Sequence, residues 1–312
     1  MRDLILSWDL NDAVEFAKTE EGLRALARLL GDRNPRVRLR SLSVLSRILR
    51  DSNSGKARLL ELFFGPLVEL LESNDERVFV RTLPVLRLLL KGSHISLAQF
   101  ERLMHPLFSI AARCNGMAWN EAVELLKGIS VAVMPHEVGS LARRHLNSNN
   151  PRVLAMSAYV IAKEGDPLDS VSEEYLRALK MALKEGDPTT VELAMATVRE
   201  LLKVPPVYPV DTVLLGIVQC LRTLSKRGSD VAIRHEARVL LGIVVSTLKE
   251  HYRKNPWELE KALTHITRSG RKDDAVLMAS LLGDPSVLVA VDEAPLFADS
   301  VVDIESLGSR GV

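Results

Sequence analysis

Short breaks of glycine, aspartate, asparagine and proline recur along this chain, and they limit the fold more than any other feature. Glycine can end a helix in the left-handed conformation, aspartate can cap the next helix, and proline suits its first turn. Each break therefore predicts that one helix ends and another begins. The breaks are Gly165–Pro167, Gly186–Pro188, Gly283–Pro285, Gly31–Asp32, Asn34–Pro35 and Asn150–Pro151.

Between the breaks, apolar residues recur at three- and four-residue spacing, which is typical of amphipathic helices. Leu26 and Leu30 precede the first break, and Val37, Leu45 and Leu49 follow it. Aligning the second helices of successive units gives shifts of about 41, 40, 35, 37 and 43 residues. Aromatic residues make up only 4% of the chain, which disfavours β-sandwiches and barrels. The sequence therefore predicts an all-α solenoid of stacked helix pairs.

The first unit resembles a HEAT repeat, a helix-pair repeat of α-solenoids. The resemblance is carried by the segment Leu29–Arg38 with Leu42 and Leu45 behind it, and it extends over residues 20 to 283. It implies a right-handed α-solenoid of about six to seven HEAT-like helix pairs. In HEAT repeats a loop aspartate and an arginine six residues later are paired across neighbouring repeats, and Asp32 and Arg38 match those positions. Phe79 and Leu154 replace the arginine in later units, so a continuous ladder is not expected.

Composition along the chain predicts four segments. Residues 1–204 form the N-terminal repeats, the proline-rich stretch 205–210 is a stiff connector, and residues 211–283 form the C-terminal repeats. Residues 284–312 carry several acidic side chains and only one arginine, so they are expected to form an acidic, flexible tail.

A stripe of cations is the main candidate for function. The net charge of +1 hides ten Lys and Arg against two Asp between residues 22 and 60. On a helical wheel, the cations of the first unit fall opposite the apolar stripe, and a shift of about 41 residues places the cations of the second unit beside them. The predicted contact residues are Arg36, Arg40, Arg47, Arg50, Arg77, Arg81 and Lys91.

The interpretation of this stripe is a non-enzymatic scaffold that binds an acidic protein or peptide, because clustered cations attract an acidic surface. Two alternatives stay open. The stripe is a solvated helix face with no partner, or the chain binds nucleic acid, as a DNA-repair-associated HEAT protein does. Glu121 and Glu124 in the third unit interrupt the positive charge and argue against tracking along a duplex. Trp119 could stack on a lesion, but no aspartate accompanies it on its helix, so it is expected in the core.

No catalytic, metal-binding or cofactor-binding residues are predicted. The dipeptides His136–Glu137 and His235–Glu236 look like those of the HEAT-repeat hydroxylase that modifies deoxyhypusine, but that enzyme holds two irons with four such dipeptides. Two dipeptides supply too few ligands, so a metal-dependent hydroxylase is the weaker alternative. Cys114 and Cys220 lie in apolar runs without an activating base, and no motif indicates a small-molecule substrate.

We expect a cytoplasmic protein with no membrane partner. No pattern of a signal peptide opens the sequence, and the two cysteines show no disulfide spacing. The most apolar stretches, Val213–Val218 and Val239–Val245, are far shorter than the roughly 20 residues that a bilayer requires.

Overall fold

The computed structural model describes residues 1–7, 9–51, 56–131, 135–164, 172–204, 208–228 and 230–268. These residues contain fifteen helices and two very short strands. The first eight helices are α1 Arg2–Ser7, α2 Leu10–Ala17, α3 Glu20–Leu30, α4 Pro35–Asp51, α5 Lys56–Leu71, α6 Glu76–Leu90, α7 Leu97–Arg113 and α8 Gly116–Gly128. The others are α9 Pro135–Arg143, α10 Pro151–Glu164, α11 Glu173–Glu185, α12 Pro188–Lys203, α13 Tyr208–Arg227, α14 Val231–Lys254 and α15 Pro256–Arg268.

The chain divides into two compact units, unit 1 of Met1–Glu137 and unit 2 of Val138–Val312. In unit 1, helices α3, α5 and α7 pack side by side in one row, and α2, α4, α6 and α8 form a second row against it. In unit 2, α11, α13 and α15 form one row and α10, α12 and α14 the other. This alternation of rows is the arrangement of stacked helix pairs, and the all-α solenoid prediction is confirmed.

One element besides the helices appears in the described residues. Strand β1, His94–Ile95, pairs in parallel with strand β2, Ser130–Val131. The strands follow α6 and α8, which are neighbours in one row, so the same loop position of two successive repeats supplies both. No alternating apolar pattern marks such a short pair in the sequence.

The break Gly186–Pro188 forms a helix start as predicted. Asp187 caps α12, where its Oδ1 accepts a hydrogen bond from the backbone N–H of Thr190 at 3.0 Å. Gly186, however, has an extended backbone with φ −69°, so the expectation of a left-handed glycine is wrong here. A Cβ at Gly186 would lie 2.4 Å from the carbonyl oxygen of Ala182, and this close approach is what requires glycine. The breaks Gly165–Pro167 and Gly283–Pro285 lie outside the described residues.

The apolar stripes of the helices form the core, as their spacing predicts. Leu42, Leu45 and Leu67 are fully buried in unit 1. Trp119 on α8 is only 1% exposed, so its assignment to the core is confirmed. Cys220 is likewise buried, on α13.

Cross-repeat pairs follow the HEAT pattern in part. The Nε of Arg2 donates to Asp32 Oδ2 at 3.0 Å, and Nη1 of Arg38 donates to Ser73 Oγ in the next loop at 3.3 Å. Unit 2 contains a direct pair of this kind, in which Nε of Arg152 lies 2.6 Å from Oδ2 of Asp187. Asp32 and Arg38, at the loop of the first repeat, therefore contact neighbouring elements of the stack, although they form no direct ion pair with each other.

The structure does not test the predicted boundary between residues 1–204 and residues 211–283. Residues 205–207 of the predicted connector lie outside the described residues, and α13 begins at Tyr208. The predicted acidic tail, 284–312, also lies outside them.

None of the described helices combines the length and the apolar character needed to cross a bilayer.

Candidate functional site

The seven predicted contact residues all lie in unit 1, on two helices that pack against each other. Arg36, Arg40, Arg47 and Arg50 are on α4, Arg77 and Arg81 are on α6, and Lys91 is the C-terminal cap residue of α6. We call the solvent side of α4 and α6 formed by these seven residues the basic surface. Stacking of the repeats thus places cations that are about 41 residues apart in sequence on adjacent helices.

Two members of the basic surface hold the N-terminal helices. Nη1 of Arg40 donates to the backbone oxygens of Ile5 at 3.0 Å and Leu6 at 2.6 Å. Both oxygens belong to the last turn of α1, whose carbonyls have no partner within the helix. Nη1 of Arg47 donates to Oδ1 of Asn11 on α2 at 3.2 Å. These two arginines therefore fasten α1 and α2 to α4.

A third member is paired within its own helix start. Arg77 lies beside Asp75, the N-cap residue of α6, with Nη2 3.2 Å from Oδ2. The Arg77 side chain donates to this carboxylate and, together with the backbone N–H of Arg77, holds the pKa of Asp75 below its ordinary value. The Arg77 side chain is nevertheless 77% exposed, so its charge still contributes to the basic surface.

The other four members, Arg36, Arg50, Arg81 and Lys91, are exposed. No ion pair links any of these four side chains to another residue in the part of the chain that the structure describes. Along α4, Arg36 and Arg50 are separated by about 21 Å at the rise of a regular helix. The four residues thus form the part of the basic surface that neither α1 and α2 nor Asp75 engages.

Carboxylates border the basic surface on the next helix of the row. Glu121 and Glu124 on α8 lie 3.8 Å and 3.7 Å from the guanidinium of Arg87 on α6. On the other side, Asp12 and Glu15 on α2 are exposed. Carboxylates therefore lie on both neighbouring helices of the row, and they interrupt the run of cations on α4 and α6.

Arg40 is expected to contribute to stability rather than to binding alone. Arg40→Ala removes the donors to Ile5 O and Leu6 O, and we expect a loss of about 1–2 kcal/mol in the free energy of unfolding of α1 from α4. Hydrogen exchange read by mass spectrometry should show faster exchange in α1 and unchanged exchange in α7. Unchanged protection of α1 would show that Arg40 does not hold this helix.

The histidines that the sequence analysis considered for metal binding are on the surface or outside the described side chains. His235 is exposed, and Glu236 beside it lies 2.6 Å from Nη2 of Arg199 on α12. Nothing is described of the His136 side chain. The dipeptide His235–Glu236 is thus an ordinary helix surface, and its glutamate forms an ion pair with a neighbouring helix.

A different cluster of possible metal ligands, which no sequence motif predicts, is present in the described residues. In unit 2, Asp211, His251 and Glu258 bring one ligand atom each to within 4.8 Å of one another, and no other such group of three occurs in the described residues. They lie on α13, α14 and α15. A weak signal was present, because His251 and Glu258 flank the break Asn255–Pro256, where two helices meet at a sharp turn. Asp211 gave no signal, since only packing brings it there.

Comparison with known proteins identifies the fold. No model of a known protein family matches the sequence, and no curated protein matches it. A solved structure of an archaeal HEAT-like repeats protein from Thermococcus onnurineus NA1 is similar over 79% of this chain and 96% of that one, with 21% identity and a TM-score of 0.66. A computationally designed armadillo repeat protein for modular peptide recognition shares 16% identity over 76% of this chain and 92% of that one, with a TM-score of 0.46.

Proposed function

Because the chain has the α-solenoid fold of HEAT-like repeat proteins, we propose that it is a non-enzymatic scaffold whose basic surface binds an acidic segment of a partner protein. The observation that carries this proposal is the presence of four exposed cations on two adjacent helices with no ion partner among the described residues: Arg36, Arg50, Arg81 and Lys91. Stacked helices present a broad and shallow surface, which suits a protein segment better than a small molecule.

The size of the basic surface supports a short acidic segment. Repulsion among cations on neighbouring helices is relieved when carboxylates approach them, and α6, which carries Arg81, packs against α4. Arg77 contributes charge at the same end, although Asp75 competes for its guanidinium. An extended acidic peptide of about six residues would match the roughly 21 Å between Arg36 and Arg50.

The border of carboxylates favours a protein partner over nucleic acid. A duplex presents phosphates at regular intervals along its whole length, so a protein that follows it needs positive charge throughout. Glu121 and Glu124 on α8 would face such a duplex directly beyond Arg87. Trp119, the residue considered for base stacking, is buried in the core. Nucleic acid is therefore treated as an outcome of the test.

Reversing two accessible cations should weaken acidic-peptide binding. For the double variant Arg36→Glu with Arg81→Glu we expect an increase in Kd of about tenfold, since two attractions become repulsions. The measurement is fluorescence anisotropy with a labelled peptide of twelve glutamates and aspartates, at low and at physiological salt. The wild-type affinity should fall with added salt, because exposed charges are screened.

The matched control is the double variant Arg144→Glu with Lys249→Glu. Both residues are exposed in unit 2, so the net charge changes equally while the basic surface is untouched. Equal loss of affinity in both double variants would contradict a local site.

A labelled DNA duplex and a single-stranded oligonucleotide are titrated in parallel. Binding of DNA but not of the peptide would replace the acidic-protein proposal by a nucleic-acid one.

We infer that the scaffold acts in the cytoplasm, because the two cysteines lack disulfide spacing in the sequence. We propose no enzymatic activity and no small-molecule substrate for it. The fold and the charge of the basic surface supply a reason for binding, and neither supplies a nucleophile or a general base.

A further inference from the structure

The cluster of Asp211, His251 and Glu258 is buried where three helices of unit 2 meet. The exposed fractions of the side chains are 0% for Asp211, 7% for His251 and 14% for Glu258. Nε2 of His251 lies 2.5 Å from Oε2 of Glu258 and 3.5 Å from Oδ2 of Asp211. Asp211 is in the first turn of α13, His251 in the last turn of α14, and Glu258 in the first turn of α15.

The three converging atoms lack hydrogen bonds of normal geometry. Oδ2 of Asp211, Nε2 of His251 and Oε2 of Glu258 are buried without a hydrogen-bond partner among the described residues. The other oxygen of Asp211 is satisfied in part, because the Thr212 hydroxyl donates to Oδ1 at 3.3 Å. Buried polar atoms are normally paired, and a cation held between the two carboxylates and the imidazole would give all three atoms a partner.

We propose that Asp211, His251 and Glu258 bind one divalent transition-metal ion, for which Zn²⁺ is the best match. Zinc accepts imidazole nitrogen and carboxylate oxygen together, whereas Mg²⁺ and Ca²⁺ prefer sites made of oxygen alone. A divalent ion also carries two positive charges, which balance those of two ionised carboxylates. This site is independent of the basic surface, which lies in unit 1.

The distances fit such an ion with a small movement. Zinc bonds of 2.0 to 2.2 Å in tetrahedral geometry hold ligand atoms about 3.3 Å apart. The 3.5 Å between His251 and Asp211 matches this spacing, whereas Glu258 at 2.5 Å has to move away from His251 by about 1 Å. Glu258 is the most exposed of the three ligands, so its side chain has the space for this adjustment.

The ion would connect three helices through their ends. Its ligands come from α13, α14 and α15, and α15 follows α14 across the short break at Asn255. Because the metal binds the assembled ligands and not the unfolded chain, it stabilises the packing of α15 on α13 and α14. Three protein ligands leave one tetrahedral position open, and water is the ligand expected there.

The test uses the full chain after dialysis against a chelator. Zn²⁺ titration by calorimetry, with bound metal measured after gel filtration, should give one ion per chain, and Zn²⁺ should raise the Tm while Mg²⁺ does not. Cobalt substitution should give the intense visible absorption of tetrahedral Co²⁺. Absence of stoichiometric Zn²⁺ binding would overturn the proposal.

Variants locate the bound metal. His251→Gln should weaken Zn²⁺ binding by about 100-fold or more, whereas His235→Gln, which removes an exposed histidine from the same helix, should not change it. Glu258→Gln keeps the shape of the side chain and is the second variant should His251→Gln fail to fold, and it should also lose the Zn²⁺-dependent rise in Tm. Equal Zn²⁺ affinity in wild type and Glu258→Gln would exclude this ligand set.

Discussion

Trp119→Ala should lower the free energy of unfolding of unit 1 by about 3–5 kcal/mol, the largest effect that we expect from a single substitution in this chain. The indole is 1% exposed and packs among the apolar side chains of α8 and its neighbours, so its removal leaves a cavity that rigid helices fill only in part. Urea denaturation followed by far-ultraviolet circular dichroism measures the loss. Hydrogen exchange in α8 assigns it to unit 1, since two units need not unfold in one transition.

Trp257→Ala is the matched control. This tryptophan is 55% exposed on α15, and its ring lies 4.4 Å from Nζ of Lys261. Its removal loses little buried area and one exposed cation–π contact, so a change of at most about 1 kcal/mol is expected. A stable Trp119→Ala variant would contradict the core assignment and would reopen a binding role for this residue.

Asp187→Ala should lower the free energy of unfolding of unit 2 by about 2–3 kcal/mol at neutral pH. One side chain makes two kinds of contact, since Oδ1 caps α12 at the Thr190 N–H and Oδ2 lies 2.6 Å from Nε of Arg152 on α10. The substitution therefore removes the helix cap and leaves a half-buried arginine without its carboxylate. Thermal and urea unfolding of the two proteins provide the measurement.

The effect of Asp187→Ala should depend on pH. Burial raises the pKa of Asp187, but hydrogen bonds from Arg152 and Thr190 outweigh it and hold the pKa below its ordinary value. A carboxyl with a lowered folded-state pKa contributes its full stability above the unfolded pKa of about 3.9 and loses it as the pH falls through the folded value. The difference between wild type and Asp187→Ala should thus be constant near neutrality and shrink below about pH 4.

Asp187→Asn separates the two contacts, because an amide oxygen can still cap α12 but carries no charge for Arg152. We expect a loss of about 1 kcal/mol, less than that of the alanine variant. If asparagine and alanine destabilise unit 2 equally, the cap contributes nothing. If the difference from wild type does not change with pH, the charge of Asp187 contributes nothing.

The sequence predicts the position of the basic surface but not the contacts of each of its residues. The wheel and the repeat shift placed Arg36 and Arg81 on adjacent, exposed helix faces, because both depend only on the helical period and the stacking of repeats. On the same wheel Arg40 is equivalent to Arg36. In the structure, however, α1 lies beside α4, and the carbonyls of Ile5 and Leu6 accept hydrogen bonds from the Arg40 guanidinium.

The sequence does not predict the metal cluster, for a similar reason. His251 and Glu258 are separated by a helix break, and Asp211 is on another helix, so no fixed spacing relates the three. Their convergence depends on the angles at which α13, α14 and α15 pack, and these angles follow from the fit of many side chains.

The sequence by itself determined the helices, their breaks, the apolar faces and the repeat of about forty residues, because these depend on local backbone preference and helical periodicity. The tertiary structure alone decided which polar atoms meet: Arg40 with the end of α1, Arg152 with Asp187, and His251 with two buried carboxylates. Periodicity fixes the face on which a side chain lies, but its partner comes from a distant part of the chain and is selected only when the helices pack.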